Sequence, residues 1–232
     1  MGVGIRLFVE GDYALFTRPE LKVERVSYDV MTPSAARGLL EAIYFKPQMR
    51  WCIERIHVLK PVRFTSIRRN EVAHRASAAT ARKAIKAGKG RLGLYADDAS
   101  VRQQRASLVL KDVAYVIEAR IEILDAREAD GTRLDKPEAK HLDTFKRRAR
   151  EGRSFHQPYF GCREFAARFQ LLEDGEDPPP SELTEEREHT RDLGLMLHDI
   201  DYANGRQPRF FRARLEQGVM NVPAWNSQEV LA

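Results

Sequence analysis

Tyr44 and Lys111 are the residues whose types and predicted positions would allow acid–base and electrostatic chemistry on one phosphate. A phenol can orient or transfer a proton, and an ammonium group can stabilise a dianionic phosphorane. If the phosphate belongs to RNA, the nucleophile is the RNA's own 2′-hydroxyl, and this chemistry needs neither a metal ion nor a cofactor. The alternative for Tyr44 is an amphipathic side chain at the rim of a helix, and the helix pattern alone fits both interpretations.

Tyr44 is placed by a predicted amphipathic helix. Thr32 is typical of an N-cap, Pro33 fits the first helical position, and Pro47 discourages continuation beyond it. Tyr44 and Lys46 then follow at the last turn, where a phenol and an ammonium group can leave the packed face. The apolar residues that recur at helical spacing, and so predict a buried face, are Ala36, Leu39, Leu40 and Ile43.

The fold class follows from the order of strand and helix patterns along the chain. This order is strand, helix, strand, strand, helix, strand, which is that of the ferredoxin-like split βαβ fold of RNA-recognition domains. We therefore predict an α+β protein with an RRM-like βαββαβ domain at 1–172, an acidic Pro-rich linker at 173–192 and a smaller β-rich part at 193–232. The predicted helices are 32–47 and 136–152, and the predicted strands are 3–10, a short one within 25–30, 51–69 with an interruption at Pro61, 106–124 and 161–172.

Positive charge is concentrated in a basic insertion at 70–104 and the residues just before it. Residues 68–91 contain eight Lys or Arg residues and one acid, Glu71. Clustered cations bind polyanions by releasing counterions, although a solvated charged loop explains the same composition. The insertion also has the composition of a short helix. The candidate RNA-binding residues are Arg68, Arg69, Arg75, Arg82, Lys83, Lys86, Lys89, Arg91 and Arg105.

Several other classes of site find no support in the sequence. The glycines at 88–93 match GxGxxG, but outside the strand–helix context that a dinucleotide site requires. No histidine or carboxylate pattern suits a metal ion, and the two cysteines, Cys52 and Cys162, are far apart. Neither a signal peptide nor an apolar run long enough to span a bilayer is evident. Because cysteine is used only twice and without CxxC spacing, we expect a reducing, cytoplasmic setting.

Segments spread over nearly the whole chain resemble the RAMP superfamily of CRISPR-associated proteins, specifically the subtype I-C (Dvulg) member of Cas family five. The resemblance implies a ferredoxin-like domain with a β-rich C-terminal part. It also implies a metal-independent endoribonuclease that cuts repeat hairpins of precursor CRISPR RNA and keeps the 5′ handle within the type I-C interference complex. The segments that carry it are TPSAARGLLEAIYFKP (32–47), QRASLVLKDVAYVIEA (104–119), SFHQPYFGCREFAARF (154–169), GLMLHDIDY (194–202) and FFRARLEQGVMNVP (210–223).

The family pattern also implies catalytic residues, with one departure in this chain. Family members use a Tyr at the end of the first helix, which matches Tyr44, and a Lys–His pair on a central strand. Lys111 matches the Lys, but Asp112 stands where the His is expected. Since an ordinary Asp has a pKa near 4, it cannot donate a proton at neutral pH as an imidazolium does. Asp112 would then act as a base, His57 or His74 would take over, or cleavage would rely on Tyr44 and Lys111.

Two other functions remain open from the sequence. The first is a non-catalytic scaffold that caps the CRISPR RNA handle, docks neighbouring subunits and also binds duplex DNA. The second is a stand-alone RNA- or DNA-binding regulator with the same fold. The basic residues fit all three functions. The departure at Asp112 favours the scaffold, whereas Tyr44 and Lys111 favour the enzyme.

Overall fold

The structure is a computed structural model that describes residues 4–21, 23–90, 92–127 and 130–231, except for the side chain of Arg187. It contains both helices and strands, as an α+β protein requires. The helices are α1 (Pro33–Ile43), α2 (Ala78–Ala87), α3 (Pro137–Arg150) and α4 (Glu186–His189). The strands are β1 (Ile5–Ala14), β2 (Arg25–Val26), β3 (Met49–Val58), β4 (Phe64–Val72), β5 (Arg102–Ile123), β6 (Arg168–Leu172), β7 (Arg191–Asp201), β8 (Gln207–Leu215) and β9 (Val219–Asn221).

The main sheet confirms the predicted ferredoxin-like fold. Its central strands have the order β6-β1-β5-β3, and each neighbouring pair is antiparallel. With α1 between β1 and β3, and α3 between β5 and β6, this is the βαββαβ topology. Both helices pack on one face of the sheet, where the Phe145 ring of α3 meets the Trp51 ring of β3 at 4.7 Å between centroids.

The central strand β5 is 22 residues long and connects two regions of the molecule. Its C-terminal half pairs with β1 and β3 in the ferredoxin-like core. Its N-terminal half extends beyond that core and pairs with β4 on one side and β2 on the other. The chain from β3 to β4 follows the same edge of β5 with a break at 59–63, which contains Pro61. The predicted interruption of this strand at Pro61 is therefore confirmed.

Helix α1 begins as predicted and ends earlier than predicted. The Thr32 hydroxyl oxygen accepts a hydrogen bond from the Ala35 N–H at 3.3 Å, which caps the N-terminus, and Pro33 occupies the first turn. The helix ends at Ile43, because Tyr44 is extended, with φ −153° and ψ 123°. Pro47 therefore lies beyond the terminus and does not set it.

The predicted strand at 161–172 is shorter than expected. Only Arg168–Leu172 forms β6, and the residues before it make a tight hairpin closed by the bridge between Tyr159 and Ala166. Gly161 lies in this hairpin with φ +79°, a conformation that an L side chain rarely adopts. A Cβ atom there would also overlap the carbonyl oxygen of Leu15. The hairpin thus lies directly against the end of β1.

The C-terminal segment is β-rich, and both its β7–β8 hairpin and its last strand contact the ferredoxin-like core. The β7–β8 hairpin packs on α1, where Arg37 donates to both carboxylate oxygens of Asp199 at 2.6 and 3.0 Å. Strand β9 pairs with β3 and so joins the main sheet. The region 173–192 contains α4 and the start of β7, and its role as a linker stays a prediction.

Within the described ranges, we find no helix with the length and apolar character needed to cross a membrane.

Candidate functional site

The hydroxyl group of Tyr44 lies inside the protein and is hydrogen-bonded to a histidine. Its oxygen is 2.8 Å from Nδ1 of His141, a residue of α3 that is 5% exposed. The Tyr44 carbonyl oxygen accepts from the Trp51 indole N–H at 3.1 Å, which fixes the backbone at the helix end. The expectation that this phenol leaves the packed face at the last turn is therefore wrong. Tyr44 and His141 form a Tyr–His pair between which a proton can pass.

His141 is not among the candidate residues that the sequence pattern indicates. It occupies the buried face of α3 together with Phe145 and Ala149, four and eight positions later. That helical spacing was visible in the sequence and marks a histidine in a core position. A buried histidine needs a polar partner, but the sequence does not show that this partner is Tyr44, 97 residues away.

Lys111 and Asp112 lie at an irregular point of β5. Lys111 is exposed and pairs across the sheet with Tyr13 of β1. Asp112 has φ +54°, which is uncommon for a residue other than glycine. Its carboxylate accepts a hydrogen bond from Lys60 Nζ at 2.7 Å, and Arg63 lies 4.0 Å away. The hydrogen bond from Lys60 is the main cause that lowers the pKa of Asp112, so this carboxylate is a weak base and stays ionised at neutral pH.

The structure does not bring Tyr44 and Lys111 together. Tyr44 contacts Trp51, which is the cross-strand neighbour of Ile121 in β5. Lys111 lies ten positions earlier in the same strand. At about 3.3 Å per residue, this corresponds to roughly 30 Å along the strand. One phosphate cannot contact both side chains, and a catalytic role for either residue stays a prediction.

The two alternative histidines lie elsewhere in the sheet. Nε2 of His57 is 2.7 Å from the Glu118 carboxylate. His57 pairs with Val116, which belongs to the sheet face opposite the helices, whereas Tyr44 belongs to the helix-covered core. His74 is exposed and follows the end of β4. Neither histidine is placed to replace the family histidine beside Lys111.

The candidate RNA-binding cations divide into two groups. Arg69 and Arg105 point to Glu71, with nitrogen–oxygen distances of 3.5 and 3.6 Å, and Arg69 also pairs with Glu164. Arg91 lies outside the described residues. The others are exposed, and no ion pair in the described part of the chain includes them; they are Arg68, Arg75, Arg82, Lys83, Lys86 and Lys89.

Helix α2 carries three of these six exposed cations, Arg82, Lys83 and Lys86. Ser77 caps its N-terminus and Gly88, with φ +63°, ends it, so the helix is locally complete. None of its residues is buried. Its cations are therefore available to a polyanion.

Among the described residues, no group of three or more His, Cys, Asp or Glu side chains is arranged to hold a metal ion, and Cys52 and Cys162 are free thiols.

Two solved structures share the fold over nearly the whole chain. One is described as "Crystal Structure of CRISPR-associated Protein", with a TM-score of 0.65, 21% identity and coverage of 100% of this chain and 97% of that chain. The other is a chain of a "CRISPR RNA-guided surveillance complex", with a TM-score of 0.51, 14% identity and coverage of 94% and 88%. At these identities the likeness concerns the fold alone.

Sequence comparison gives a closer relationship. A protein from Mannheimia succiniciproducens named "CRISPR pre-crRNA endoribonuclease Cas5d" is 52% identical over 226 residues, which is 97% of each chain. A protein of the same name from Thermus thermophilus is 40% identical over 245 residues, covering 97% of this chain and 94% of its own. The family model for "CRISPR-associated protein (Cas_Cas5)" matches residues 4–223, and the chain therefore belongs to the Cas5 family of CRISPR-associated proteins.

Proposed function

We propose that this chain is an endoribonuclease that cleaves precursor CRISPR RNA and remains bound to its product. The observation that carries the proposal is the 52% identity, over 97% of both chains, to a relative named as a pre-crRNA endoribonuclease. The repeat hairpin is the expected substrate, as the family resemblance implies. The product would stay on the protein as part of a multi-subunit interference complex in the cytoplasm, where two free thiols are stable.

The chemistry is attack by a 2′-hydroxyl on the adjacent phosphate. The reaction needs a group that removes or supplies a proton and a positive charge that stabilises the phosphorane. We assign proton handling to Tyr44, which is 9% exposed at the end of α1, with His141 as the positioning residue that holds its hydroxyl. Lys46, exposed and two residues further along the chain, is the cation that could reach a phosphate at this end of the helix.

RNA binding would use the exposed cations of β4 and α2 together with Lys111. Arg68 pairs with Ala106 in the extended half of β5, and Lys111 lies ten positions before Ile121, the residue level with Trp51 and Tyr44. A folded RNA hairpin is large enough to contact both ends of the protein. Lys111 is then a phosphate-binding residue remote from the cleaved bond. Arg69 and Arg105 serve mainly to hold β4, β5 and the 161–165 turn together through Glu71 and Glu164.

A non-catalytic scaffold is the second candidate, and two observations favour it. The Tyr44 hydroxyl is hydrogen-bonded to His141 in the core, and the Asp112 carboxylate accepts a hydrogen bond from Lys60. A scaffold would bind the processed RNA as tightly as an enzyme would, but it would leave a precursor repeat intact.

The test is incubation of the full chain with its own repeat RNA in excess chelator. We expect cleavage that leaves a 2′,3′-cyclic phosphate, or the 3′-phosphate derived from it. RNA with a 2′-deoxy nucleotide at the cut site should bind with similar affinity and stay intact, because the nucleophile is missing. Tight binding without cleavage of the all-ribose RNA would favour the scaffold. Cleavage that stops in chelator and returns with Mg²⁺ would contradict the proposed chemistry.

A further inference from the structure

A groove of about 620 Å³ lies between α1, the end of β1 and the segment 154–161. Its α1 side includes three small residues, Ala35, Gly38 and Ala42, which leave room beside the helix. The other side is lined by aromatic rings. Neither the proposed proton chemistry nor the proposed phosphate contacts use this groove.

The aromatic rings of the groove are displayed to solvent on a fixed backbone. The Phe155 side chain is 87% exposed, and Phe45 is 54% exposed. Yet the Phe155 N–H donates to the Ala42 carbonyl oxygen of α1 at 2.7 Å. The Phe160 carbonyl oxygen accepts from the Leu15 N–H at 3.0 Å, which fixes the other end of the segment. A large apolar ring held in water at a defined position is unfavourable unless a partner covers it.

The ring geometry suits a flat aromatic partner. His156 and Tyr159 are nearly parallel, with an interplanar angle of 29° and 6.0 Å between centroids. Phe155 meets His156 edge to face, with 6.2 Å between centroids. Such a set offers exposed ring faces against which another ring can stack. Hydroxyl groups of Thr17 and Ser34 line the same groove and can donate or accept hydrogen bonds at the edge of a heterocycle.

The charges of the groove exclude a phosphate as its main occupant. No lysine or arginine is among its described lining residues. Its one carboxylate, Glu41, is paired with Arg37 at 2.7 Å. A phosphate would need cations here, whereas a nucleobase is uncharged and planar. Every base has a π face that aromatic side chains can bind, whatever the sequence.

We propose that this groove binds an unpaired nucleobase of the RNA by stacking on Phe155 and the His156–Tyr159 pair. This inference rests on the proposed function, because it takes RNA as the substrate. Phe45 lines the groove and directly follows Tyr44 in the chain. A base in the groove therefore places the adjoining backbone near the Tyr44–His141 pair, while the cations of α2 bind phosphates elsewhere.

The experiment uses repeat RNA with 2-aminopurine at single unpaired positions beside the stem. Stacking quenches this fluorescent base, so binding to the wild-type chain should lower its emission at one position. Phe155→Ala should abolish that quenching and weaken RNA binding by about 5- to 150-fold. The dependence of affinity on salt should stay unchanged, because no phosphate contact is lost. Phe155→Trp should restore quenching, whereas Phe155→Leu, which keeps apolar area without a ring, should not.

The matched control is Ile85→Ala, which removes an apolar side chain of α2 that is 67% exposed, against 87% for Phe155. It should leave quenching unchanged. If the wild-type chain cuts the RNA but no position is quenched, the base site is wrong and the proposed function stands. The same conclusion follows if quenching and RNA affinity of Phe155→Ala equal those of Ile85→Ala. If Phe155→Leu retains full RNA affinity, ring stacking at Phe155 does not contribute to RNA binding, and the base site is again wrong. If the wild-type chain neither binds nor cuts the RNA, the proposed function fails and the base site with it.

Discussion

The Tyr44 oxygen and Nδ1 of His141 are 2.8 Å apart although 97 residues separate them in the chain. This bond joins the C-terminal end of α1 to the buried face of α3. It gives the first helix a polar contact within an otherwise apolar interface. The proposed proton chemistry and the stability of the fold therefore depend on the same two atoms.

Tyr44→Phe should lower both stability and cleavage. The ring and its apolar contacts remain, but Nδ1 of the buried His141 loses the phenol, so the free energy of unfolding should fall by about 1–3 kcal/mol. Single-turnover cleavage should fall by roughly 10²-fold if the hydroxyl moves a proton. Urea unfolding and a cleavage time course measure the two effects. Tyr202→Phe, at an exposed tyrosine, is the control and should change neither. Wild-type cleavage by Tyr44→Phe would remove Tyr44 from the site.

His141→Asn tests whether His141 positions Tyr44. Asn can still hydrogen-bond from the same side of α3, so it should retain part of the cleavage rate that His141→Ala loses. RNA affinity should stay the same in both variants, because His141 is buried and does not contact the substrate. The rate at saturating enzyme and the dissociation constant separate these effects. Equal rates for the Asn and Ala variants would leave His141 with a purely structural role.

Lys111→Ala should act independently of Tyr44→Phe. In a single site the two losses would not add, because both side chains would act on one transition state. With roughly 30 Å of β5 between them, the effects should add on a free-energy scale instead. Lys111→Ala should mainly weaken RNA binding, and the double variant should show both defects in full. A double variant no worse than the single ones would contradict the separation.

The exposed cations of α2 should determine the salt dependence of RNA binding. Replacing Lys83 and Lys86 by Ala should flatten the plot of log affinity against log salt by up to about 0.7–0.9 per lost contact. Arg105→Ala is the contrasting variant. This substitution removes one of the cations paired with Glu71, so it should lower the free energy of unfolding. It should change the salt dependence of RNA binding less than the α2 variant does. Identical salt plots for the α2 variant and the wild type would show that α2 does not contact RNA.

Glu118 should make stability depend on acid pH. A hydrogen bond with His57 is the main cause that lowers the pKa of this carboxyl below 4.5, and Arg55 contributes. The folded state then binds fewer protons than the unfolded state. The stabilisation is present above pH 4.5 and is lost as pH falls through the lowered pKa. Urea unfolding between pH 6 and 3 should show a steeper loss for the wild type than for Glu118→Gln. Parallel curves would contradict this coupling.

Elements with strong local patterns could be predicted from the sequence. The N-cap at Thr32, the proline at position 33 and the apolar stripe identify α1, and the break at Pro61 divides the edge of the sheet. The fold class follows from the order of such elements. The end of α1 at Ile43 has no comparable local cause, because the Trp51 and His141 contacts that hold the extended Tyr44 come from later parts of the chain.

The candidate site was less predictable, since it depends on distances between elements. Whether one phosphate can contact both Tyr44 and Lys111 depends on their separation. Tyr44 lies level with Ile121 of β5 and Lys111 lies ten positions earlier in that strand, which no local pattern shows. The positive φ of Asp112 and its contact with Lys60 are likewise tertiary features. His141 could be recognised as a core histidine from its spacing with Phe145, but its partner could not.

Gly161 gives the aromatic groove an unusual sensitivity to mutation. Any side chain there must displace the backbone of Leu15 and abandon a φ of +79°. The segment that carries Phe155, His156 and Tyr159 would then shift relative to α1, even though those residues are untouched. In a random-mutagenesis survey of the chain, substitutions of Gly161 would thus impair RNA binding as much as substitutions of the rings, although Gly161 has no side chain that could contact RNA. Loss of RNA binding in a variant at residue 161 would reflect displacement of the aromatic groove and not the loss of a direct contact with RNA.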